Sequence, residues 1–255
     1  MYPLLDWFGY KMGTFPICVG IGLASGVLFI FLQIKRLKVS PEFENSTMLA
    51  IPLTFICGTI GAHLTDVFLH AGWLGIIKTP FAYGLTFYGW LFSACIFLIP
   101  YSLKCHISPI YMLNLFCPAF AVGQAYGRIG CFLGGCCYGC PWQFGVIYPI
   151  GSLPYSQYGA IPLVPVQIFE SVFLFTIFII LIKYIPFHRR GTWYLIMLSA
   201  GRFVLEFFRA DDRGELFYNL LSPSQWISTG LFIIGICWLI VIEKKARKKN
   251  YNYGK

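Results

Sequence analysis

Charge is what this sequence has least of. Only 11% of its 255 residues are Asp, Glu, Lys or Arg, against about 25% in ordinary soluble domains, while 58% are hydrophobic. A composition so poor in charge excludes a water-soluble globular domain and implies an integral membrane protein. Internal repeats, low-complexity tracts and linkers are also absent, so residues 1–255 read as a single transmembrane domain with a basic tail at 243–255. Residues 1–13 hold Asp6 and Lys11 and lack a basic start, an apolar run and a cleavage site, so no cleavable signal peptide is expected. The formal charge of +9 suggests a nucleic-acid partner only until the charges are located, because most lie beside apolar runs where a membrane protein keeps its anchors. An intramembrane proton relay and repeat symmetry are missing too, which argues against a transporter.

What is present is a series of apolar runs. A chain of this length accommodates about six to eight helical spans of about 20 residues. Seven are expected, at residues 14–34, 49–69, 83–101, 110–127, 165–185, 193–208 and 225–242, giving an all-α polytopic protein. The segments following the first, third, fifth and seventh spans hold thirteen of the nineteen Lys and Arg residues. The positive-inside rule then puts the N-terminus outside and the C-terminal tail in the cytoplasm.

The densest cluster of unusual residues is 123–141, GQAYGRIGCFLGGCCYGCP, expected as a Gly-rich segment leaving the fourth span. Arg128 at the edge of an apolar span costs a few kcal/mol, and an anionic lipid is the most economical compensation. The six glycines, Gly127 and Gly130 among them, let backbone and neighbouring helices approach closely. Cys131, Cys136, Cys137 and Cys140 read CxxxxCCxxC. Thiolates at short spacing suit zinc or an iron–sulfur cluster. Paired CxxC units are lacking, however, and adjacent cysteines seldom share one ion, so on an outer face one or two disulfides are expected ahead of a metal. Packed free thiols also fit, and a thiol-redox protein is an alternative reading. The other six cysteines read as apolar filler.

Further polar residues recur at helical spacing. In 201–209, GRFVLEFFR, residues Arg202, Glu206 and Arg209 stand at i, i+4 and i+7, which predicts an Arg–Glu–Arg ladder on one helix face. Such a ladder either fixes helix packing alone or presents paired guanidinium donors to phosphate. In 165–170, PVQIFE, Gln167 and Glu170 lie one turn apart and need partners, either on another helix or on a ligand. Gln225, heading the last span, carries the same choice. Tyr88 opens the third span as a belt aromatic or a site residue. His63 lies within the second, where a hydrogen-bonded core histidine is the commoner role.

In their order along the chain, GRIGCFLGGCCYG, VPVQIFE, GRFVLEFFR and LSPSQWIS, with fainter echoes in Trp7-Phe8-Gly9, GTIGAHL and GLTFYGW, resemble the prolipoprotein diacylglyceryl transferase family over most of the chain. The resemblance implies a multi-pass protein of the bacterial inner or plasma membrane. Its implied activity moves the diacylglyceryl group of phosphatidylglycerol, or a similar anionic phospholipid, onto the cysteine thiol of a prolipoprotein signal peptide (the lipobox), releasing glycerol phosphate without metal or cofactor. It implies catalytic roles for Arg128, Arg202, Tyr88 and Glu206. Substrate contacts are implied for Arg209, Gln167, Glu170, His63, Gly127, Gly130 and Gln225. The chain departs from the family pattern where Cys131 replaces an Asn, Tyr88 the histidine of the proton step, Phe8 a tyrosine and His63 an arginine. A tyrosine with a pKa of about 10 is a poor base at neutral pH. A different acceptor, or a non-catalytic lipid-binding relative, are the alternatives these departures leave.

Overall fold

A computed structural model describes residues 4–7, 10–78, 86–210 and 221–253 of the chain. Two short antiparallel strands, β1 (Leu4–Trp7) and β2 (Tyr10–Gly13), precede the first helix, with Leu4 opposite Gly13. The long helices are α1 (Thr14–Leu37), α2 (Pro41–Lys78), α3 (Phe87–Lys104) and α4 (Pro109–Gly134). After β3 (Pro141–Val146) and the short α5 (Leu153–Tyr158) come α6 (Val166–Lys183), α7 (Arg190–Glu206) and α8 (Pro223–Tyr253). The protein is therefore mostly helical and polytopic. Among the described residues, five helices are long and apolar enough to cross a membrane: Thr14–Leu37, Pro41–Phe68, Phe87–Lys104, Val166–Lys183 and Pro223–Lys244. Their outward faces carry Leu28, Leu32, Ile96, Val172 and Ile233 exposed, as lipid contact requires.

The helices α4 and α7 are less apolar, and the reason is visible in their pairing. Asn114 Oδ1 accepts the Gly191 N–H at 2.7 Å, and Gln124 Nε2 donates to the Tyr194 hydroxyl at 2.6 Å. Ser171 of α6 donates to the Ala125 carbonyl of α4 at 2.9 Å. Polar side chains that lower the hydropathy of these two helices are thus spent on interhelical hydrogen bonds, where apolar surroundings make an unpaired group costly.

The chain divides into two compact units, Met1–Phe29 with Asn114–Lys255, and Ile30–Leu113. In the second, α1 ends with Lys35 and Arg36 in its last turn, favourable to the helix dipole, and Lys38 at φ 50° breaks the helix. The Ser40 hydroxyl then accepts the Phe43 N–H at 3.3 Å, and Glu42 and Glu44 occupy the first turn of α2. Glu44 pairs with Lys35 at 2.9 Å. Helix α2 runs further in both directions than the expected 49–69 and turns sharply at Gly72. It packs on α3 through small residues: a Cβ at Gly58 would meet the Trp90 indole at 2.6 Å, and Thr86 donates to the Ala62 carbonyl at 3.0 Å. Gly84 and Leu85 of the GLTFYGW segment lie outside the described residues, as do Phe8 and Gly9 of the N-terminal motif.

In the first unit, Gly22 brings α1 against α4: a Cβ there would meet the Gly123 carbonyl oxygen at 2.8 Å. The fourth helix does not stop at residue 127 but continues to Gly134, so Arg128 and Cys131 are helical residues. Gly127, Gly130 and Gly134 keep negative φ, and the left-handed conformation that ends the helix first appears at Gly135, φ 73°. Residues 135–164 fold over a small aromatic core of Tyr138, Tyr148 and Leu163, with Tyr158 and Ala210 against it. Tyr138 and Tyr158 meet edge to face with ring centres 6.0 Å apart.

Gly22→Ala forces two backbones apart, whereas Gly20 has open space around its Cβ position. Gly22→Ala is expected to destabilise by about 1–3 kcal/mol, the usual cost of overpacking, and Gly20→Ala to be near neutral. Thermal unfolding of the two variants in the same detergent checks this.

Candidate functional site

The first unit gathers its buried charge around one carboxylate. Glu170 sits one turn into α6, buried to 3% exposure, beyond Pro165, whose ring precedes the helix where no N–H is needed. Three arginines from three places in the sequence converge on it. Arg128 of α4 places Nε 3.1 Å from Oε1, and Arg202 of α7 places Nη1 2.6 Å from the same oxygen. Arg209, beyond the end of α7, places Nη1 3.5 Å from Oε2. Glu206 adds a second carboxylate, with Oε2 3.7 Å from Arg202 Nη2 and Oε1 accepting from the Ser222 hydroxyl at 3.2 Å. Among the described residues, three guanidinium groups stand against two carboxylates, one positive charge in surplus, at a place where charge is expensive unless neutralised.

This arrangement revises the expected ladder. Helix α7 ends at Glu206, and residues 207–208 turn away, so Arg209 is not at i+7 on the helix. It forms instead a bridge with Gly139, whose N–H donates to Val164 O at 3.1 Å, while the next residue, Cys140, donates its N–H to Phe208 O at 3.0 Å. A Cβ on Gly139 would lie 2.6 Å from Val164 O and 2.7 Å from Phe208 O, so only glycine lets these three segments meet. The hub of the arginines is Glu170, a residue expected at a substrate contact, while the Glu206 carboxylate stands against Arg202 at longer range. Asp211, Asp212 and Arg213 lie outside the described residues.

One turn before Glu170, Gln167 is fully buried and ties α6 to the cysteine segment. Its Nε2 donates to the Cys136 carbonyl at 2.7 Å and shares hydrogen bonds with the Tyr148 hydroxyl. Burial pushes the Tyr148 phenol above its ordinary pKa, so it remains a neutral donor and acceptor beside the amide. Tyr148 carries no motif, which is why sequence reasoning missed it; Ser222 was missed too, although it lies in the LSPSQWIS segment.

Of the alternatives open for the cysteines, the structure has free thiols. Three of the four in CxxxxCCxxC converge: the sulfurs of Cys131, Cys136 and Cys137 lie within 4.8 Å of one another. Backbone geometry explains this. At the end of α4 the Cys136 N–H reaches back to Cys131 O at 3.1 Å and the Gly135 N–H to Phe132 O at 3.3 Å, a Schellman cap that stacks Cys136 over Cys131. Cys137 then adopts φ 61°, rare without glycine, and turns into the same cluster. Hydrogen bonds from the Cys131 and Cys136 thiols, with Arg128 and Arg209 nearby, hold Cys137 well below the ordinary thiol range. Cys140, bonded to Phe208 and Val164 through its backbone, stays outside the trio.

Other expected residues have plainer surroundings. A Cβ on Gly130 would meet Cys18 Cβ at 3.0 Å and the Phe15 ring at 3.1 Å, which marks a helix-packing glycine; Gly127 has open space. Gln225 caps α8: its Oε1 accepts the Ser222 N–H at 2.9 Å and its N–H donates to Ser222 Oγ at 3.2 Å. Tyr88 and His63 belong to the second unit, Tyr88 buried in the first turn of α3 beside Phe87 and Phe92, and His63 half-buried in α2.

Removing the hub charge takes a shared carboxylate from three guanidinium groups. Glu170→Gln is expected to cost about 3–5 kcal/mol, as for breaking a buried pair, and Glu206→Gln less, since it touches one arginine at longer range. The order of unfolding midpoints in detergent reads this directly.

Comparison with known proteins places these features among relatives. The family model described as prolipoprotein diacylglyceryl transferase matches residues 4–241. The chain is 32% identical over 254 residues to the phosphatidylglycerol–prolipoprotein diacylglyceryl transferase 2 of Clostridium perfringens, covering 95% of each chain. It is 30% identical to the Clostridium tetani phosphatidylglycerol–prolipoprotein diacylglyceryl transferase over 91% of this chain and 94% of that one. A similarly named protein of Dehalococcoides mccartyi is 29% identical over 98% and 94%.

Proposed function

The chain belongs to the prolipoprotein diacylglyceryl transferase family, and from that premise we propose that it moves the diacylglyceryl group of phosphatidylglycerol onto the cysteine thiol of a prolipoprotein signal peptide. A thioether forms and glycerol phosphate leaves. The observation that carries this reading is the convergence of three arginines on Glu170, with one positive charge in surplus among the described residues. A phosphodiester brings one negative charge and becomes a dianion as its ester bond to the glyceryl carbon breaks. Arg128, Arg202 and Arg209, already fixed by Glu170, then face a growing charge without having to reorganise, which favours the transition state over the bound lipid.

Roles follow from position. Arg128 and Arg202 are the catalytic electrostatic groups, and Arg209 binds the phosphate beside them. Glu170 and Glu206 orient the arginines. Gln167, bonded to Cys136, shapes the wall on the other side, and Gln225 with Gly130 sets the helices around it. Gly127, open at its Cβ position, leaves room for lipid. On the second unit, Tyr88 acts by hydrogen bonding and His63 as a polar contact for the substrate. The topology proposed is seven spans in one transmembrane domain of a bacterial inner or plasma membrane. The N-terminus lies outside and the basic tail in the cytoplasm, so the site opens toward the lipobox cysteine of an exported precursor.

The test follows the headgroup. Purified protein with phosphatidylglycerol labelled in its headgroup is expected to release glycerol phosphate only when a lipobox peptide is added, and Arg128→Ala and Arg202→Ala each to lower release by at least ~100-fold, as for loss of a preorganised charge donor. Lipid retention without release would instead make the chain a binding protein. Tyr88→Phe is expected to lower release about tenfold, the kinetic equivalent of one hydrogen bond; full activity in that variant would remove Tyr88 from the mechanism.

A further inference from the structure

Three thiols meet where α4 ends, two of them from adjacent residues, whose side chains normally diverge. The cap at Gly135 and the left-handed backbone at Cys137 bring the sulfurs of Cys136 and Cys137 within 4.8 Å of Cys131 and of each other. Cys136 stacks over Cys131, and its thiol donates to the Cys131 carbonyl at 3.7 Å. A non-glycine residue at positive φ is disfavoured and persists where its surroundings hold it there. Packing alone needs no such backbone. Burial is graded, since Cys131 is buried while Cys136 and Cys137 are half-buried. A small reagent therefore meets the outer sulfurs first, with the inner one in place to resolve what it leaves.

We propose that this cluster is an oxidation site, at which Cys131 and Cys136 form a disulfide at the expense of hydrogen peroxide and so weaken binding of the lipid phosphate. The Cys136 sulfur attacks one peroxide oxygen, and the oxygen–oxygen bond breaks. The hydroxide that leaves takes the thiol proton, giving water and a sulfenic acid. The Cys131 sulfur then attacks the Cys136 sulfur, the sulfur–oxygen bond breaks, and a second hydroxide leaves as water with the Cys131 proton. Two thiols and one peroxide thus give one disulfide and two waters, the sulfurs oxidised and the peroxide oxygens reduced. A dithiol reverses the change by exchange through a mixed disulfide.

Two short connections carry the effect to the arginine cluster. Cys131 lies three residues beyond Arg128 on α4, so the two share a helix face. The Cys136 carbonyl accepts the Gln167 amide at 2.7 Å, and Gln167 lies three residues before Glu170 on α6. Drawing Cys136 onto Cys131 shifts the cap and turns that carbonyl away from Gln167. The buried amide loses a partner, and the turn of α6 that carries Glu170 loses its tie to the end of α4. The phosphate that the three arginines hold is then bound more weakly, a consequence that rests on the transferase reading.

The experiment reads the bond and the lipid separately. The full chain in detergent, reduced with a dithiol and then exposed to hydrogen peroxide, is expected to lose the mass of two hydrogen atoms. Chymotryptic cleavage after Phe132 separates Cys131 from Cys136, and a disulfide joining the two fragments is expected. Cys131→Ser abolishes that bond, whereas Cys137→Ser and Cys140→Ser form it as the parent does. By native mass spectrometry the oxidised parent is expected to retain about tenfold less phosphatidylglycerol than the reduced one, the equivalent of one buried hydrogen bond, and the dithiol to restore it. In Gln167→Met the bond still forms, but oxidation leaves lipid retention where it was, because the tie is already cut. Thiols that stay reduced in the parent, or oxidise singly without the crosslink, overturn the site, and that mapping needs no variant to fold. A mapped bond with unchanged lipid retention overturns the control, as does a Gln167→Met chain as sensitive to peroxide as the parent. Failure of the reduced parent to retain phosphatidylglycerol sinks the transferase reading and the control with it, while the mapped bond still establishes the oxidation site.

Discussion

The first unit depends on the ionisation of one buried side chain. Glu170 is the point at which helices α4, α6 and α7 and the segment after α7 are tied by charge, because each of the three arginines reaches the same carboxylate. In a low-dielectric interior none of these groups is tolerable alone, and together they fix one another's geometry. Gln167, one turn earlier on the same helix face, extends the constraint to the cysteine segment through Cys136. A single turn of α6 thus positions both the arginine cluster and the thiol cluster. The surplus charge that remains has a direction: it invites an anion, and the proposed lipid phosphate is an anion whose charge grows as the reaction proceeds.

Close approach of backbone makes this possible. Gly22 allows α1 to meet α4, and Gly139 allows the segment before β3 to meet both Val164 and Phe208, which brings Arg209 back to Glu170. The glycines of 123–141 therefore serve mostly as packing and as a helix cap, and Gly127 and Gly134 face open space. Polar residues inside α4 and α7 follow the same economy, pairing with each other so that neither helix needs to be strongly apolar.

Much of this was legible in the sequence, and the failures have physical causes. Composition and the basic residues beside apolar runs disclosed a polytopic helical protein, and the ordered motifs disclosed the family. Arg128, Glu170 and Arg202 were recognisable because each is an ionisable group in an apolar run, which needs a partner. What spacing could not say was which partner. The i, i+4, i+7 pattern of Arg202, Glu206 and Arg209 presumes a helix that continues, whereas a bridge to Gly139, distant in sequence, ends it. Tyr148 and Asn114 lay hidden because a lone Tyr or Asn carries no pattern. The convergence of Cys131, Cys136 and Cys137 could not be read from spacing, because it depends on the backbone of Cys137 at φ 61°.

The central claim is that the excess charge held by Glu170 selects an anionic phospholipid. Native mass spectrometry of the chain, released from micelles containing equal phosphatidylglycerol and phosphatidylcholine, tests it without requiring turnover. The account predicts one retained phosphatidylglycerol per chain, in preference to phosphatidylcholine, with the preference abolished in Arg128→Gln. Equal retention of the two lipids by the parent chain would contradict it.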